Sequence, residues 1–507
     1  MKKIFTFLFV AAAALVARAT DYTVPMVITV NGESVEQVST ISITENEGLY
    51  DVNLKNFMLA SEDGPMPVGN IELKGIAPQK EADATLLLTT GLVDITEGDD
   101  PSIPLWMASV LPPVNVLLNG KIHGDHIRFF IDIDLTETLQ QKIQVEIGDG
   151  YQLANRSFET WHTSTSDNVE PNAWHSFESA TGSMAAMATM FGTHIGMSDD
   201  AHSGSASARI FATSIIGIVA NGTMTTGRMN AGSATATDVA NHAYIDMSST
   251  DVDGNGDPYY SPMYAYPDSI AVWVKFKQGT PNASHPYATI SAVITDGTYY
   301  QDPEDKEYSN VIGKAKNSTI AETGDEWVRV TAPFVYSDAA LALDPKAVLI
   351  TISTNAAPGQ GSGNDEVLVD DISFIYNAKV TGIKIKGQSV PDFNPEVRVY
   401  NMEINEELTF DDITFVAEGN SVHSLKYIEP SDEGYTCYFV ALSGDMITTN
   451  LYVVNVKSTA TAIQTISAPA SQSAVYYTLD GIHVQAPQSG KIYICRKADG
   501  TVTKVLK

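Results

Sequence analysis

The chain of 507 residues contains only two cysteines, Cys437 and Cys495. Two thiols exclude a disulfide framework and any cysteine-based zinc centre; a single bond stays open, and it requires the last two segments of the chain to touch. Positive charge is also scarce: 30 Lys and Arg stand against 61 Asp and Glu, a formal net charge of −31. Such a chain repels phosphate backbones and anionic headgroups at long range, so neither nucleic acid nor a membrane surface is an expected partner. Beyond residue 16 no apolar run approaches the roughly 18 residues that a bilayer crossing needs. Helical periodicity is nearly missing after the N-terminus. The ten histidines show no HExxH spacing, and there is no GxSxG elbow or Walker-type loop. Acidic residues abound, yet no pair stands out as the couple that a glycosidase places about 5 to 10 Å apart. No enzyme is expected.

What is present begins with MKKIFTFLFVAAAALVARA. Two lysines, an apolar run from Ile4 to Val16 and a small-x-small end at Ala17 to Ala19 predict a signal peptide over residues 1–19, cleaved after Ala19. No cysteine follows to carry a lipid. Export is therefore expected, to the outer cell surface or the medium. The length calls for about three or four domains, and period-two alternation recurs throughout. In IRFFIDIDL, Ile127, Phe129, Ile131, Ile133 and Leu135 alternate with Arg128, Phe130, Asp132 and Asp134. Asn-Gly and Asp-Gly turns punctuate the alternation, so the fold class is all-β.

Four segments follow the signal. Over 20–149, YTVPMVITVNG, YDVNLKNFML, VGNIELKGI, a loop with Trp106 and FFIDIDL resemble, in that order, the calycin-like domain of exported envelope proteins. The resemblance implies a β-barrel that either holds an apolar ligand or is filled by its own side chains. Over 150–378 the chain opens with NRSFETW and PNAWHSF, runs through SIAVWVKFK, ATISAVITD, WVRVTAPFVY and AVLITIST, and closes with GSGNDEVLVDDISFIYN. This set resembles the proposed carbohydrate metabolism domain family, itself similar to the carbohydrate-binding jelly rolls of polysaccharide-degrading enzymes. It implies a two-sheet jelly roll. Residues 379–457 read as an Ig-like sandwich. Residues 458–507 hold a Ser/Thr/Ala linker and then YTLDG and GKIYICR, an order similar to Por-type C-terminal sorting tails; that implies a Gram-negative envelope and outer-membrane secretion machinery as a partner.

Sugar binding needs flat aromatic rings facing solvent, because a pyranose presents an apolar face ringed by hydroxyls. In SIAVWVKFK, Trp273 shares parity with Lys275 and Lys277, opposite Val272, Val274 and Phe276; Trp327 shares parity with Arg329. Both tryptophans are candidate stacking residues, with the loop doublets Tyr259, Tyr260 and Tyr299, Tyr300 as a binding rim. The alternative is that other segments cover the rings. In LVDDISF, Asp370 shares parity with Leu368, Ile372 and Phe374, so it is expected on the core face, where a carboxylate needs a cation or a donor. The jelly-roll resemblance implies structural calcium tying the opening and closing strands, at Glu159 and Asp370 here; without calcium these carboxylates bond backbone amides. The stretch DVDGNGDPYY offers Asp251, Asp253, Asn255 and Asp257 as further calcium ligands. It is no EF-hand, because the twelfth position is Pro262 and no helices flank it; a looser calcium loop and a solvated acidic turn remain open. These features together predict an exported, non-catalytic protein that binds a polysaccharide or oligosaccharide through its jelly roll at the cell surface. A structural or adhesion protein blind to sugar is the alternative, and a glycan hydrolase would need an acidic cleft.

Overall fold

A computed structural model describes residues 18–59, 64–136, 140–164, 168–190, 193–215, 217–458, 475–477, 483–484, 492–496 and 502–506. The segment expected to be a signal peptide, apart from its last two residues, and most of the segment expected to be a sorting-type tail lie outside these. Among the described residues strand follows strand, and the single α-helix, Ala185–Ala188, is four residues long. Among the described residues no helix is long and apolar enough to cross a membrane. The chain divides into two compact units, 1–147 with 469–507, and 148–468.

In the first unit nine strands form one antiparallel sheet: Arg18–Val30, Glu33–Asn46, Leu49–Leu59, Met66–Ile76, Pro78–Lys80, Thr85–Val93, Val114–His123, His126–Leu135 and Gln141–Ile147. The first strand hydrogen-bonds the second along its length and also the last, from Met26 opposite Ile147 to Val30 opposite Ile143. Asn31 and Gly32, both with positive φ, form the turn between the first two strands, as an Asn-Gly hairpin requires. At the free edge of Met66–Ile76, Asn70 pairs with Thr96 through two backbone bonds of 2.7 and 3.0 Å. Gly69 permits that approach, since a Cβ there would lie 2.2 Å from the Thr96 carbonyl. Alternation turns Ile127, Phe129, Ile131, Ile133 and Leu135 inward, where they join Ile41, Val52, Leu54 and Val145 in a side-chain-filled core. The opposite face of the same strand hides an ion pair: Arg128, 2% exposed, donates from Nη2 to Glu146 Oε2 at 2.6 Å.

The second unit holds two further large cores and a smaller one under its three-stranded sheet. Around 151–376, a five-stranded sheet (Ile195–Ser198, Ser207–Phe211, Glu366–Ile375, Ser269–Lys277, Val328–Pro333) shares a core with a second sheet built on Thr223–Thr225, Ala347–Ser353, Ala288–Thr295, Val311–Ile320 and Val335–Tyr336. Val272, Val274, Phe276, Ile290, Ile350 and Ile352 meet between them, and Phe158 and Trp174 of the opening motifs are fully buried there. A three-stranded sheet, Arg228–Ala231, Asn241–Ile245 and Tyr300–Asp302, covers part of the second sheet's outer face.

The third large core lies within 378–456. It joins a three-stranded sheet to a four-stranded one, in which Val399–Ile404 runs parallel to Thr449–Ser458. Asp268 links it to the preceding sandwich by accepting the amides of Asn377 and Asn420 at 2.7 and 3.1 Å. Cys437 is inside this core and Cys495 is buried in the tail strand Ile492–Arg496; both are free thiols. Burial pushes the Cys437 thiol up to about 12, so almost no thiolate exists at neutral pH. Cys437 is expected to resist alkylation in the native chain and to react once denaturant opens the core, read by mass spectrometry of its peptide.

Candidate functional site

On the second sheet of the 151–376 sandwich, the outward residues change character along two adjacent strands. Val293 and Leu349 are apolar and lie under the three-stranded sheet with Met229, Ala243, Ile245 and Tyr300. Two and four residues further along, the same faces carry Ser291 and Thr289, and Thr351 and Ser353, in register across the pair. There the cover ends, and a cleft of about 560 Å³ opens over these hydroxyls. That volume is in the range of small-molecule sites. Phe177, Met184, Met187, Val219 and Pro358 supply apolar walls, and Asn230, His242, Asp302 and Lys316 are polar or charged members of the lining.

The floor keeps hydrogen-bonding capacity. Ser291 donates to Asp302 Oδ2 at 3.0 Å. Asn221 donates to the carbonyls of Asn355 and Ala357 at 3.2 and 3.3 Å, yet its Oδ1 is buried with no hydrogen-bond partner, and so is Thr351 Oγ1. Buried polar atoms are normally bonded, and these two have no partner within the described chain. Asp302 is the only carboxylate among the described lining residues. Acid–base hydrolysis of a glycoside needs a second.

The predicted site residues fall into other places. Trp273 and Trp327 lie on the polar face of the five-stranded sheet, both half-buried. They meet around His202, whose ring stacks flat on Trp273 at 3.8 Å and 15° and approaches Trp327 edge-on at 6.1 Å. The Trp327 indole donates to Asp200 Oδ1 at 3.2 Å, and Lys275 holds the same carboxylate at 2.7 Å. One face of Trp273 is therefore occupied by a protein ring. Tyr259 lies between His175 and Arg228, each 4.4 Å from its ring, and Tyr260 packs beside the core of the three-stranded sheet. The strand after these tyrosines, Ser261–Pro262, pairs with Ala347–Ser353, so they belong to the second sheet whereas Trp273 belongs to the first. Tyr299 is 38% exposed. Tyr300 is corrected: at 1% exposure it is no rim residue, because it starts a strand and its parity turns it inward.

Asp370 is corrected as well. The pairing of Glu366–Ile375 with Ser269–Lys277 slips between Ala271 and Trp273, and Asp371 takes φ +45°. This bulge moves the core positions from Val367 and Val369 to Ile372 and Phe374 and sets Asp370 opposite Trp273, away from the core. The carboxylate is nonetheless fully buried, under the 202–206 loop. Its Oδ2 accepts the amides of His202 and Ser203 at 2.8 and 3.2 Å, and its Oδ1 that of Asp371 at 2.8 Å. Burial, and then the neighbouring Asp371 charge, push its pKa up to about 6. Glu159 grips the other half of the loop through the amides of Ser205 and Ala206 at 3.0 and 3.2 Å and the Ser205 hydroxyl at 2.6 Å. The two residues do meet one structural element, and both bond backbone amides there.

In DVDGNGDPYY, the Asp253 side chain is fully buried, with Oδ2 3.4 Å from Nε2 of both His162 and His175. Its Oδ1 accepts the amides of Asn255 and Asp257 at 2.9 and 2.8 Å. Burial works against its charge, but His175, the Asp257 amide and His162 outweigh it and hold the carboxyl below its ordinary value. Asp257 accepts from the Ala173 amide at 2.8 Å and from Asn255, while exposed Asp251 pairs with Arg228 at 2.8 Å. Among the described residues no group of three or more His, Cys, Asp or Glu is placed to hold a metal ion.

Sequence reading missed the cleft. Its only local signal is the alternation of Thr289 and Ser291 with Ile290 and Ala292, and of Thr351 and Ser353 with Ile350 and Ile352. No curated protein matches the chain. Two solved structures show low similarity. A proposed glycoside hydrolase from Bacteroides thetaiotaomicron is 14% identical over 50% of this chain and 80% of its own, with a TM-score of 0.34. A structure of the M60 catalytic domain with two CBM51 domains of Clostridium perfringens ZmpB is 11% identical, with a TM-score of 0.15 over 98% of this chain and 46% of its own. Likeness this low carries no argument. Residues 19–147 match the model of the calycin-like β-barrel domain, and the nine-stranded sheet just described is what those residues build.

Proposed function

We propose that this is an exported, non-catalytic protein that binds carbohydrate in the cleft over Thr289, Ser291, Thr351 and Ser353. The observation that supports it is the pairing of a hydroxyl and amide floor, with two unsatisfied oxygens, and apolar walls. A pyranose offers hydroxyls at its edge and C–H groups on its faces, which such a cleft complements. The single carboxylate supports binding without hydrolysis. Removing a buried polar contact to ligand costs about tenfold or more in affinity. On a glycan array, the native chain is expected to retain one or more polysaccharides without releasing reducing ends. Thr351→Val and Asp302→Ala are each expected to lower that affinity about tenfold. Retention of no glycan would overturn this reading, and release of reducing ends would overturn its non-catalytic part. A structural or adhesion role is the second reading, favoured by His202 on the face of Trp273.

A further inference from the structure

We propose that the glycan site continues from the cleft onto the outward face of the three-stranded sheet, and that its ligand is a neutral oligosaccharide chain. This rests on the carbohydrate reading of the cleft. In Asn241–Ile245, Ala243 and Ile245 face inward, so His242 and Tyr244 face outward; in Arg228–Ala231, Met229 and Ala231 are inward and Arg228 and Asn230 outward. Asn230 pairs with His242, and both line the cleft. The next outward pair is Arg228 with Tyr244, and Tyr244 is opposite Gln301 on the third strand. The face that lines the cleft therefore runs directly into an aromatic row.

The row is continuous. His242 lies 5.7 Å from Tyr244, Tyr244 lies 5.7 Å from Tyr299 at 32°, and Tyr299 lies 6.4 Å from Tyr308 at 38°. Tyr299 donates its hydroxyl to Gln301 Oε1 at 2.9 Å and Tyr308 donates to Asp305 at 2.8 Å, which fixes both rings by their edges. Tyr244 and Tyr308 are half-buried and Tyr299 is exposed. The three tyrosine rings, each tilted by 32 or 38° from the next and edge-anchored at Tyr299 and Tyr308, form a row suited to successive sugar faces of one chain, with His242 edge-on to it at 64°. Asp246, Asp302 and Asp305 flank the row together with Arg228, Lys306 and Lys316, so neither sign of charge dominates, which suits a neutral chain.

The test is calorimetric titration of the full chain with neutral β-1,4-linked glucose, mannose and xylose series, from disaccharide to hexasaccharide. For whichever series binds, the native protein is expected to gain about tenfold in affinity with length for each ring engaged. Tyr299→Ala and Tyr244→Ala should remove that gain and leave disaccharide affinity unchanged, while Tyr299→Phe keeps it. A gain that persists in both alanine variants, or is absent from the native protein, overturns the extended site and leaves the cleft reading standing. Binding of no member of any series, together with a blank glycan array, overturns both.

Discussion

Replacing Asp370 with asparagine is expected to remove a loss of stability of about 3 kcal/mol that the native chain undergoes between about pH 4 and pH 6. The Asp370 carboxyl has a folded value of about 6 against its ordinary 3.8, because burial disfavours its charge and Asp371 adds a like charge. A raised acid is more protonated in the folded than in the unfolded chain. Its contribution is fully present below 3.8 and is lost as pH rises through 6. Asparagine keeps a carbonyl for the amides of His202 and Ser203 but does not titrate. The denaturation midpoints of native and variant protein, followed by tryptophan fluorescence, should therefore diverge across this window and run parallel above it. A constant difference from pH 4 to pH 7 would show that Asp370 is not held in the buried form. The same pair of proteins tests calcium: an ion bridging Glu159 and Asp370 would raise the native melting temperature on addition and leave the Asp370→Asn variant unmoved.

Glu146→Ala is expected to destabilise the first unit by about 3 kcal/mol, because it removes a carboxylate bonded to a guanidinium buried inside the protein. The pair is 2.6 Å apart with both side chains close to fully buried. The cost comes from the buried cation losing this carboxylate, so a double replacement, Arg128→Met with Glu146→Leu, should recover most of it. Amide hydrogen exchange along His126–Leu135 provides a local readout. Unchanged protection in Glu146→Ala would show that the pair does not hold these strands.

The all-β fold was legible because alternation survives in most strands. IRFFIDIDL sorts its residues to two faces exactly as period two demands only while no residue is inserted, and LVDDISF breaks that condition. Two adjacent aspartates tolerate the left-handed backbone at Asp371, and the resulting bulge carries Asp370 to the other face. Tyr299 and Tyr300 read as a loop doublet, but a doublet that enters a strand points its two rings in opposite directions. Trp273 was placed on the polar face correctly, whereas the ring that covers it, His202, arrives from a loop about seventy residues earlier and has no local signature. The cleft was illegible for a related reason. Its floor is two strands, its walls come from segments near 177–188, 219 and 358, and more of its lining comes from a third sheet. Ser and Thr on a strand declare an outward face but do not tell what stands above it.

The pairing of Ser207–Phe211 with Glu366–Ile375 has a consequence for how the chain is made. Ala208 meets Val369, a partner roughly 160 residues downstream. In a polypeptide synthesised from its N-terminus, the earlier strand waits as an open edge, and the 202–206 loop waits without Asp370, until nearly the whole sandwich has been produced. Contacts of such long range slow folding and extend the period in which unpaired strands can find one another in different molecules. The nine-stranded sheet, whose farthest pairing is between Met26 and Ile147, can close long before that. That sheet and the sandwich should therefore mature on separate clocks, with the cleft forming well after the sheet.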